Sequence, residues 1–370
     1  MTLSEGRATF TQNRFVRLSP FGFVPPRGVS AGERISTAGQ DDLDCLSKFK
    51  FVLSLITREN DYQREQARAA EAAALRLDVD LEILYADSDS VTQSSQLLDI
   101  IHKYKSTLSG IVVEPAGGTE FPQVGNAAVN AGIAWVVLNR DAASLASLRR
   151  KSAVPSFAVS SDHVEVGHIQ ARQLAAILPQ GGSALYIQGP SSSLAAQQRM
   201  AGLQQARPNT IDVKILKSSN WTEEGGHSAV ASWLKLSTSR QQEIHAVVGQ
   251  NDSIAIGARR AFEDVKSAHE VYPWTDLPFL GVDGLPKTGQ SWVGSGLLKA
   301  TVIVPAVAGA ALDIAVNALQ SNTQPPDQHR VPAQSFPSLD SLRPITTGLT
   351  PEKKESLPRN KRAAANLGDN

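Results

Sequence analysis

Short apolar segments alternate with longer amphipathic segments from residue 49 onward. Residues 49–56 form a compact apolar run that is typical of a buried strand, and residues 62–77 are Ala-rich with the spacing of a helix. The same reading predicts further strands at 81–85, 111–113, 134–138, 154–159, 184–188, 211–216, 244–248, 278–282 and 299–304. It predicts further helices at 91–104, 121–131, 163–178, 194–206, 223–236, 252–266 and 306–320. Strands that alternate with helices favour right-handed crossovers and parallel pairing.

Two sets of about five strands predict an α/β fold with two similar lobes, each a parallel sheet flanked by helices. A closed eight-stranded barrel is the alternative. The stretch before 154–159 shows few helix signals and contains Pro155, which indicates a chain that is crossing between lobes. We expect the first lobe at 49–160 plus 305–335 and the second at 161–304. Three crossings, near 160, 284 and 305, would form the hinge.

The two ends of the chain lack this alternation. Residues 1–48 are predicted to be an irregular extension, because Pro25 and Pro26 interrupt any periodicity. A DNA-binding head needs two or three helices, and this segment offers none. Residues 344–370 are polar and basic and are predicted to be a disordered tail, with a docking peptide as the alternative interpretation.

Charge and cysteine content limit which partners and which cellular compartment are expected. The 36 basic and 36 acidic residues balance, so no nucleic acid partner or anionic membrane is expected. The single cysteine, Cys45, excludes an internal disulfide. No run approaches the ~20 apolar residues of a membrane span. The start lacks the apolar core of a signal peptide, so the sequence predicts a cytoplasmic protein, or a periplasmic one if the start is misassigned.

Motifs that would indicate an enzyme are missing from the sequence. It has no phosphate-binding loop, no dinucleotide fingerprint and no nucleophile elbow, and we predict no cofactor. His163 and His168 are five residues apart on one predicted helix and face different sides, which argues for surface or capping roles and against a metal pair. Glu114 and Asp283 could be proposed as the paired carboxylates of a glycosidase, but they come from opposite lobes. We therefore predict a protein that is not an enzyme.

Polar residues follow several predicted strands directly, where open α/β sheets bind their ligands. These residues are Glu114, Asn139, Arg140, Asn251 and Asp283. A helix cap would explain any one of them, but not their equivalent positions in both halves. Sugar hydroxyls both donate and accept hydrogen bonds, and carboxylate, amide and guanidinium groups satisfy them. Tyr62 and Trp221, next to predicted helix starts, could cover the apolar face of a sugar ring.

A set of short motifs occurs in a characteristic order along 49–331. The set is Asn60-Asp61-Tyr62, Leu138-Asn139-Arg140, Ser161-Asp162, Gln198-Arg199, Gln250-Asn251-Asp252 and Gly281-Val282-Asp283-Gly284. In this the chain resembles the type I periplasmic sugar-binding proteins of the ribose and galactose group, whose fold is shared with the ligand domains of LacI-type repressors. The resemblance implies a non-catalytic protein that closes around its ligand and delivers it to an ABC permease. The alternative is a cytoplasmic ligand sensor that signals to a partner protein.

The resemblance also implies a set of ligand contacts. They are Asn60, Tyr62, Glu114, Asn139, Arg140, Arg199, Trp221, Asn251 and Asp283. Three positions depart from the family pattern: Glu114 replaces a common Asn, Asn139 replaces Asp, and Gln63 replaces a second aromatic residue. A glutamine that the family often has near Val304 is also missing. These departures concern the identity of the ligand.

Overall fold

The structure is a computed structural model that describes residues 48–117, 120–239, 242–267 and 277–345. The predictions for the N-terminal extension, and for the tail beyond 345, lie outside the described residues. The strands are β1 (Lys50–Leu55), β2 (Asp80–Tyr85), β3 (Gly110–Val113), β4 (Ala134–Leu138), β5 (Ser156–Ser161), β6 (Gly182–Gln188), β7 (Ile211–Lys217), β8 (Ala246–Gly249), β9 (Phe279–Asp283), β10 (Ala300–Ile303), β11 (Gln328–Val331) and β12 (Gln334–Phe336).

The helices mostly fill the connections between these strands. They are α1 (Asp61–Leu77), α2 (Ser90–Tyr104), α3 (Pro122–Asn130), α4 (Leu145–Lys151), α5 (His163–Ile177), α6 (Leu194–Ala206), α7 (Glu223–Leu234), α8 (Asp252–Ser267), α9 (Gly289–Gly294) and α10 (Ala308–Ser321). Within the described ranges, no helix combines the length and apolarity that a bilayer crossing requires.

The described strands form two separate sheets of six. The first has the order β11-β5-β4-β3-β1-β2 and the second the order β12-β10-β9-β8-β6-β7. The pairings are parallel except for β12, which runs antiparallel to β10. This confirms the prediction of two lobes with parallel sheets, and the barrel alternative is wrong because each sheet is open at both edges.

The chain passes between the two sheets three times. It crosses between β5 and α5, between β10 and α10, and between β11 and β12. The expected crossing near 284 is wrong, because β9 and β10 on either side of it pair with each other in the second sheet. The third crossing lies at 332–333 instead, so β12 belongs to the second sheet although we expected the first lobe to extend to 335.

The stretch before β5 is not a crossing either. It contains α4, whose Leu145 and Leu148 are fully buried in the core beneath the first sheet. The chain stays in the first lobe there and leaves it only after β5. The helix is short, and its last turn carries three basic residues, so it gives a weak periodic signal.

The strands are apolar on both faces because helices cover both sides of each sheet. All five residues of β4 are buried, and the largest of them, Trp135, has no exposed surface. In the second lobe, α5 and α6 pack with their backbones in contact: a Cβ on Gly167 would lie 2.1 Å from Arg199 O, and one on Gly202 would lie 2.0 Å from Val164 O. This close packing fixes the middle of α6, which carries Arg199, relative to the first turns of α5.

Candidate ligand-binding cavity

Side chains from both lobes line one cavity of about 320 Å³ at the carboxyl ends of the two sheets. All nine residues that the sequence singled out lie in its wall: Asn60, Tyr62, Glu114, Asn139, Arg140, Arg199, Trp221, Asn251 and Asp283. Residues separated by more than 200 positions are thus brought together. Their contact with a ligand stays a prediction.

Asn60 and Asn251 hold equivalent places in the two lobes. The Oδ1 atom of Asn60 accepts from Tyr62 N at 2.8 Å and caps α1, and Oδ1 of Asn251 accepts from Ile254 N at 2.8 Å at the start of α8. Both Nδ2 atoms donate to Trp221 O, at 3.1 Å and 2.9 Å. Capping therefore explains the oxygens of these side chains, and the amide groups fix the Trp221 loop from two lobes.

Trp221 supplies an apolar surface to the cavity. A Cβ on Gly189 would lie 2.4–2.8 Å from its ring atoms, so the indole rests directly on that backbone and only glycine leaves room for it. The guanidinium carbon of Arg199 lies 5.6 Å from the ring centroid. The Trp221 ring therefore packs on the Gly189 backbone and also lines the cavity.

Glu114, buried at the end of β3, sits among amide groups with fixed orientations. Gln66 Oε1 accepts from Ala308 N at 2.9 Å, so its Nε2 faces Glu114 Oε2 at 3.3 Å. Gln63 Oε1 accepts from Ile56 N at 2.9 Å, and its amide also donates to Glu114. Burial raises the pKa of Glu114, while Arg140 and the amide donors oppose the increase.

Arg140 and Tyr62 complete the first-lobe wall around Asn139. The Asn139 backbone has φ 53°, a left-handed conformation that asparagine tolerates better than most residues. Its carbonyl accepts from Arg140 Nη1 at 2.7 Å. The Tyr62 hydroxyl donates to Pro305 O at 2.9 Å and lies 3.2 Å from Asn139 Nδ2. Burial raises the pKa of Tyr62 and lowers that of Arg140, which Glu114 partly restores.

Arg199 and Asp283 form the charged part of the second-lobe wall. Arg199 Nη1 donates to Gln250 O at 2.5 Å, and Nη2 lies 4.0 Å from Asp283 Oδ1. Burial raises the pKa of Asp283 to about 7, although Arg199 opposes the shift. Behind it, the buried Asp252 accepts from Gly284 N at 2.8 Å and so holds the turn that carries Asp283.

His163 is a cavity residue that the sequence reasoning missed. It is buried and lines the cavity, so the expected surface or capping role is wrong. Burial lowers the pKa of its ring well below 6.5, and neighbouring arginines lower it further. His168 binds Glu165 and Gln205 instead. His163 is the first residue of α5, a position that a surface or capping histidine also occupies, so the sequence held no signal for its place in the cavity.

Comparisons with known proteins identify the family to which the chain belongs. The sequence pattern of the family described as "periplasmic binding protein domain" matches residues 51–323. A putative rhizopine-binding protein of Rhizobium meliloti is 26% identical over 240 residues, which cover 64% of this chain and 72% of that protein. The ribose import binding protein of Escherichia coli is 25% identical over 263 residues, covering 70% and 80%.

Solved structures show the same fold. An ABC transporter periplasmic solute binding protein from Actinobacillus succinogenes with bound D-allose aligns with a TM-score of 0.65 at 22% identity, over 78% of this chain and 97% of that one. The resemblance inferred from the motif set is confirmed. The chain belongs to the periplasmic binding protein family.

Proposed function

We propose that the protein binds a small polyhydroxylated molecule of the monosaccharide class in this cavity, without converting it, as the substrate-binding component of an ABC-type sugar import system. The observation that supports this most is the convergence of nine polar and aromatic side chains from two lobes on one cavity. The relatives named above are binding proteins, and one of them serves ribose import. Import is therefore preferred over the sensor alternative.

The chemistry of the wall suits an uncharged ligand with several hydroxyl groups. Guanidinium groups donate, carboxylates accept, and amides do both, which matches the dual character of hydroxyls. In its interior each lobe contributes one arginine and one carboxyl group, Arg140 with Glu114 and Arg199 with Asp283, while the exposed Glu59 also lines the cavity. Both signs of charge are thus paired in the interior of each lobe. Trp221 then covers an apolar ring face.

Contacts across the cleft support a closing hinge. Asn60 Nδ2 donates to Trp221 O at 3.1 Å, and Gln198 Nε2 donates to Asp141 Oδ2 at 2.7 Å, each from one lobe to the other. A ligand that touches both walls adds contacts that exist only when the lobes are together. That difference in contacts shifts the population toward the closed state.

Ligand-induced stabilisation tests the proposal. We expect at least one of D-ribose, D-allose, xylitol and myo-inositol, at about 100 times its Kd, to raise the free energy of unfolding by ~2.7 kcal/mol in a thermal-shift and calorimetry screen. Asp283→Asn should lose this gain, because it removes a carboxylate acceptor from the wall. Asp99→Asn, at an exposed position on α2, is the matched control and should keep it.

Two results would contradict the proposal. One is the absence of any stabilisation by the four compounds, or an equal gain in Asp283→Asn. The other is hydrolysis of glycosides by the purified protein that Glu114→Gln abolishes, since that would make the carboxyl groups catalytic.

A further inference from the structure

Gln250 lies behind the second-lobe wall of the cavity, in the turn between β8 and α8, and its side chain has no exposed surface. Its Nε2 donates to Ala196 O at 2.8 Å and to the Tyr186 hydroxyl at 2.9 Å. Its Oε1 accepts from Gly189 N at 2.9 Å. One amide group thus joins the first turn of α6, the interior of β6 and the residue that follows β6.

These partners allow only one orientation of the amide group. The carbonyl of Ala196 can only accept a hydrogen bond, so the amide nitrogen must face it, and Gly189 N can only donate, so the amide oxygen must face that side. Turning the amide by half a rotation would place a donor against a donor and an acceptor against an acceptor. The Gln250 side chain therefore fixes Gly189 relative to the start of α6.

Gly189 supports the apolar contact of the second-lobe wall. The Trp221 ring packs on this backbone so closely that a Cβ on Gly189 would lie 2.4–2.8 Å from ring atoms. The other side of the ring contributes to the cavity lining. Because no space separates the ring from its support, a displacement of Gly189 also displaces the indole surface that the cavity presents.

Gln250 holds the charged contact of the same wall as well. Arg199 follows Ala196 by three residues on α6, and its Nη1 donates to the backbone carbonyl oxygen of Gln250 at 2.5 Å. The guanidinium carbon of Arg199 lies 5.6 Å from the centroid of the Trp221 ring. Gln250 therefore contacts both the support of the aromatic ring and the arginine beside that ring.

A buried network holds Gln250 from behind. The Tyr186 hydroxyl, which accepts from Gln250, donates to Gln170 Oε1 at 3.3 Å, and Gln170 Nε2 donates to Gly249 O at 3.0 Å. Tyr186 and Gln170 have no exposed surface. A buried polar network whose bonds are all formed stabilises one arrangement over its alternatives, because each change would leave a buried group unpaired.

We propose that Gln250 is a positioning residue that sets the spacing between the Trp221 ring and the Arg199 guanidinium group, so that both reach the same ligand. The proposal rests on the function above insofar as these two groups contact the ligand. Gln250 is not among the residues that line the cavity, so it acts through its two neighbours.

The position of the Trp221 ring can be measured without ligand. The five tryptophans of the full chain are replaced by fluorotryptophan, and single Trp→Phe variants assign their fluorine NMR signals. Gln250→Met keeps the approximate volume and removes all three side-chain bonds. We expect it to shift and broaden the Trp221 signal. The signals of Trp135 and Trp233, in the cores of the first and second lobes, should stay in place.

Gln173→Met is the matched control in the same lobe. Gln173 lies on α5 without exposed surface and donates to Thr301 O at 2.9 Å and to Ser335 Oγ at 3.0 Å, away from the cavity lining. It should leave the Trp221 signal unchanged. Tyr186→Phe removes only the hydroxyl that Gln250 binds, so it should shift that signal by a smaller amount, and it carries the test if Gln250→Met does not fold.

Calorimetry with D-ribose, D-allose, xylitol and myo-inositol measures the consequence for binding. For each compound that binds the wild type, we expect the Kd to rise about 5- to 30-fold in Gln250→Met. It should stay within about 2-fold of the wild-type value in Gln173→Met. Denaturant titration in parallel identifies a loss of stability, which alone does not change the affinity of the folded protein.

An unchanged Trp221 signal in both Gln250→Met and Tyr186→Phe would overturn the proposal. So would an equal shift of the Trp233 signal, an equal effect of Gln173→Met, or an unchanged Kd, because each would mean that Gln250 has no specific role at the cavity wall. If the Trp221 signal shifts as expected but none of the four compounds binds the wild type, the proposed function is refuted and the positioning of Trp221 by Gln250 stands.

Discussion

Each lobe presents one arginine and one carboxyl group to the interior of the cavity, whose lining also includes the exposed Glu59, but the two lobes hold these interior groups differently. In the first lobe Glu114 receives donors from Gln63 and Gln66, whose own oxygens are fixed by backbone N–H groups. Among the described residues, the side chain of Asp283 in the second lobe has one partner, Arg199, in an ion pair of 4.0 Å. The first carboxyl group is satisfied by amide donors, whereas the described part of the chain offers the second no close donor.

This difference assigns different energetic roles to the two walls. A buried carboxylate without close donors raises the free energy of the closed, empty protein. Ligand hydroxyls that donate to Asp283 would remove that cost, so binding energy is concentrated on the second lobe. Glu114 already receives hydrogen bonds from amide groups, so we expect it to orient the ligand more than to add binding free energy. Stability and affinity measurements on single-residue variants test this contrast.

The largest effect concerns the pH dependence set by Asp283. Its pKa of about 7 in the folded state exceeds the ordinary 3.8, so the folded chain keeps a proton that the unfolded chain has lost. The free energy of unfolding therefore falls as the pH rises from about 4 to about 7, by at most ~4 kcal/mol. The Asn side chain of Asp283→Asn does not titrate, so the free energy of unfolding of this variant does not show that fall. We expect its stability relative to the wild type to grow by up to ~3 kcal/mol between pH 5 and pH 8 in denaturant titrations without ligand.

Glu114→Gln provides the comparison for this measurement. The pKa of Glu114 is also raised, but amide donors and Arg140 oppose the shift, so its contribution should have the same sign and a smaller size. A pH-dependent gain in Glu114→Gln that equals or exceeds the gain in Asp283→Asn would mean that the first lobe holds the less satisfied carboxyl group.

The second effect concerns how the helices are packed. A Cβ on Gly167 would lie 2.1 Å from Arg199 O and 2.7 Å from Leu203 N, and backbone atoms cannot rotate away. Gly167→Ala should therefore push α6 off α5, lower the free energy of unfolding by about 2 kcal/mol and weaken ligand binding through displacement of Arg199. Denaturant titration and calorimetry with the identified sugar measure the two effects.

Alanine substitutions at two other glycines provide comparisons for the stability of Gly167→Ala. Gly294→Ala on α9 places a Cβ where nothing lies within 4 Å, so its stability should stay within about 0.5 kcal/mol of the wild type. Gly309→Ala, which meets Ala69 O at 2.7 Å in the first lobe, should cost less than Gly167→Ala. If Gly309→Ala lowered the free energy of unfolding as much as Gly167→Ala, the two lobes would not differ in how tightly their helices pack.

Apolar runs and their spacing were sufficient to predict β1 to β10 and the two-lobed fold. They failed for β11 and β12, which are short and polar and are held by pairing with β5 and β10 rather than by burial. The third crossing depends on those two strands, so it could not be placed. For the cavity, polar residues after strands indicated Glu114, Asn139, Arg140, Asn251 and Asp283. Asn60 and Arg199 came only from the resemblance to the family.

His163 and Gln66 mark the limit of the sequence reasoning about the cavity. A lone histidine at a helix start cannot be distinguished from a surface or capping residue, because its role depends on Arg199, 36 positions later. Gln66 on α1 likewise acts through Ala308, 242 positions away. Contacts of this kind form between residues that are distant in the sequence, so the local periodicity of apolar residues cannot predict them.

The smallest effect concerns the amide groups of Gln63 and Gln66 around Glu114, which together form the amide cradle of this carboxyl group. Gln66 has no exposed surface and joins Ala308 N, at the start of α10, to Glu114. Gln66→Met keeps the volume and removes both bonds, so we expect a loss of about 1 kcal/mol in the free energy of unfolding and a weaker affinity for the identified sugar. Denaturant titration and calorimetry measure both quantities.

Gln96→Met is the matched control for this change, since Gln96 donates to Tyr85 O at 3.1 Å in the same lobe and does not line the cavity. It loses one hydrogen bond, where Gln66→Met loses two, and it removes a buried Oε1 that has no partner among the described residues, so it should cost less stability and keep the sugar affinity. If Gln66→Met also kept its affinity, Glu114 would not depend on the cradle for its position. The first lobe would then hold its carboxyl group no more firmly than the second holds Asp283, because a donor network that can be removed without moving the acceptor does not orient it.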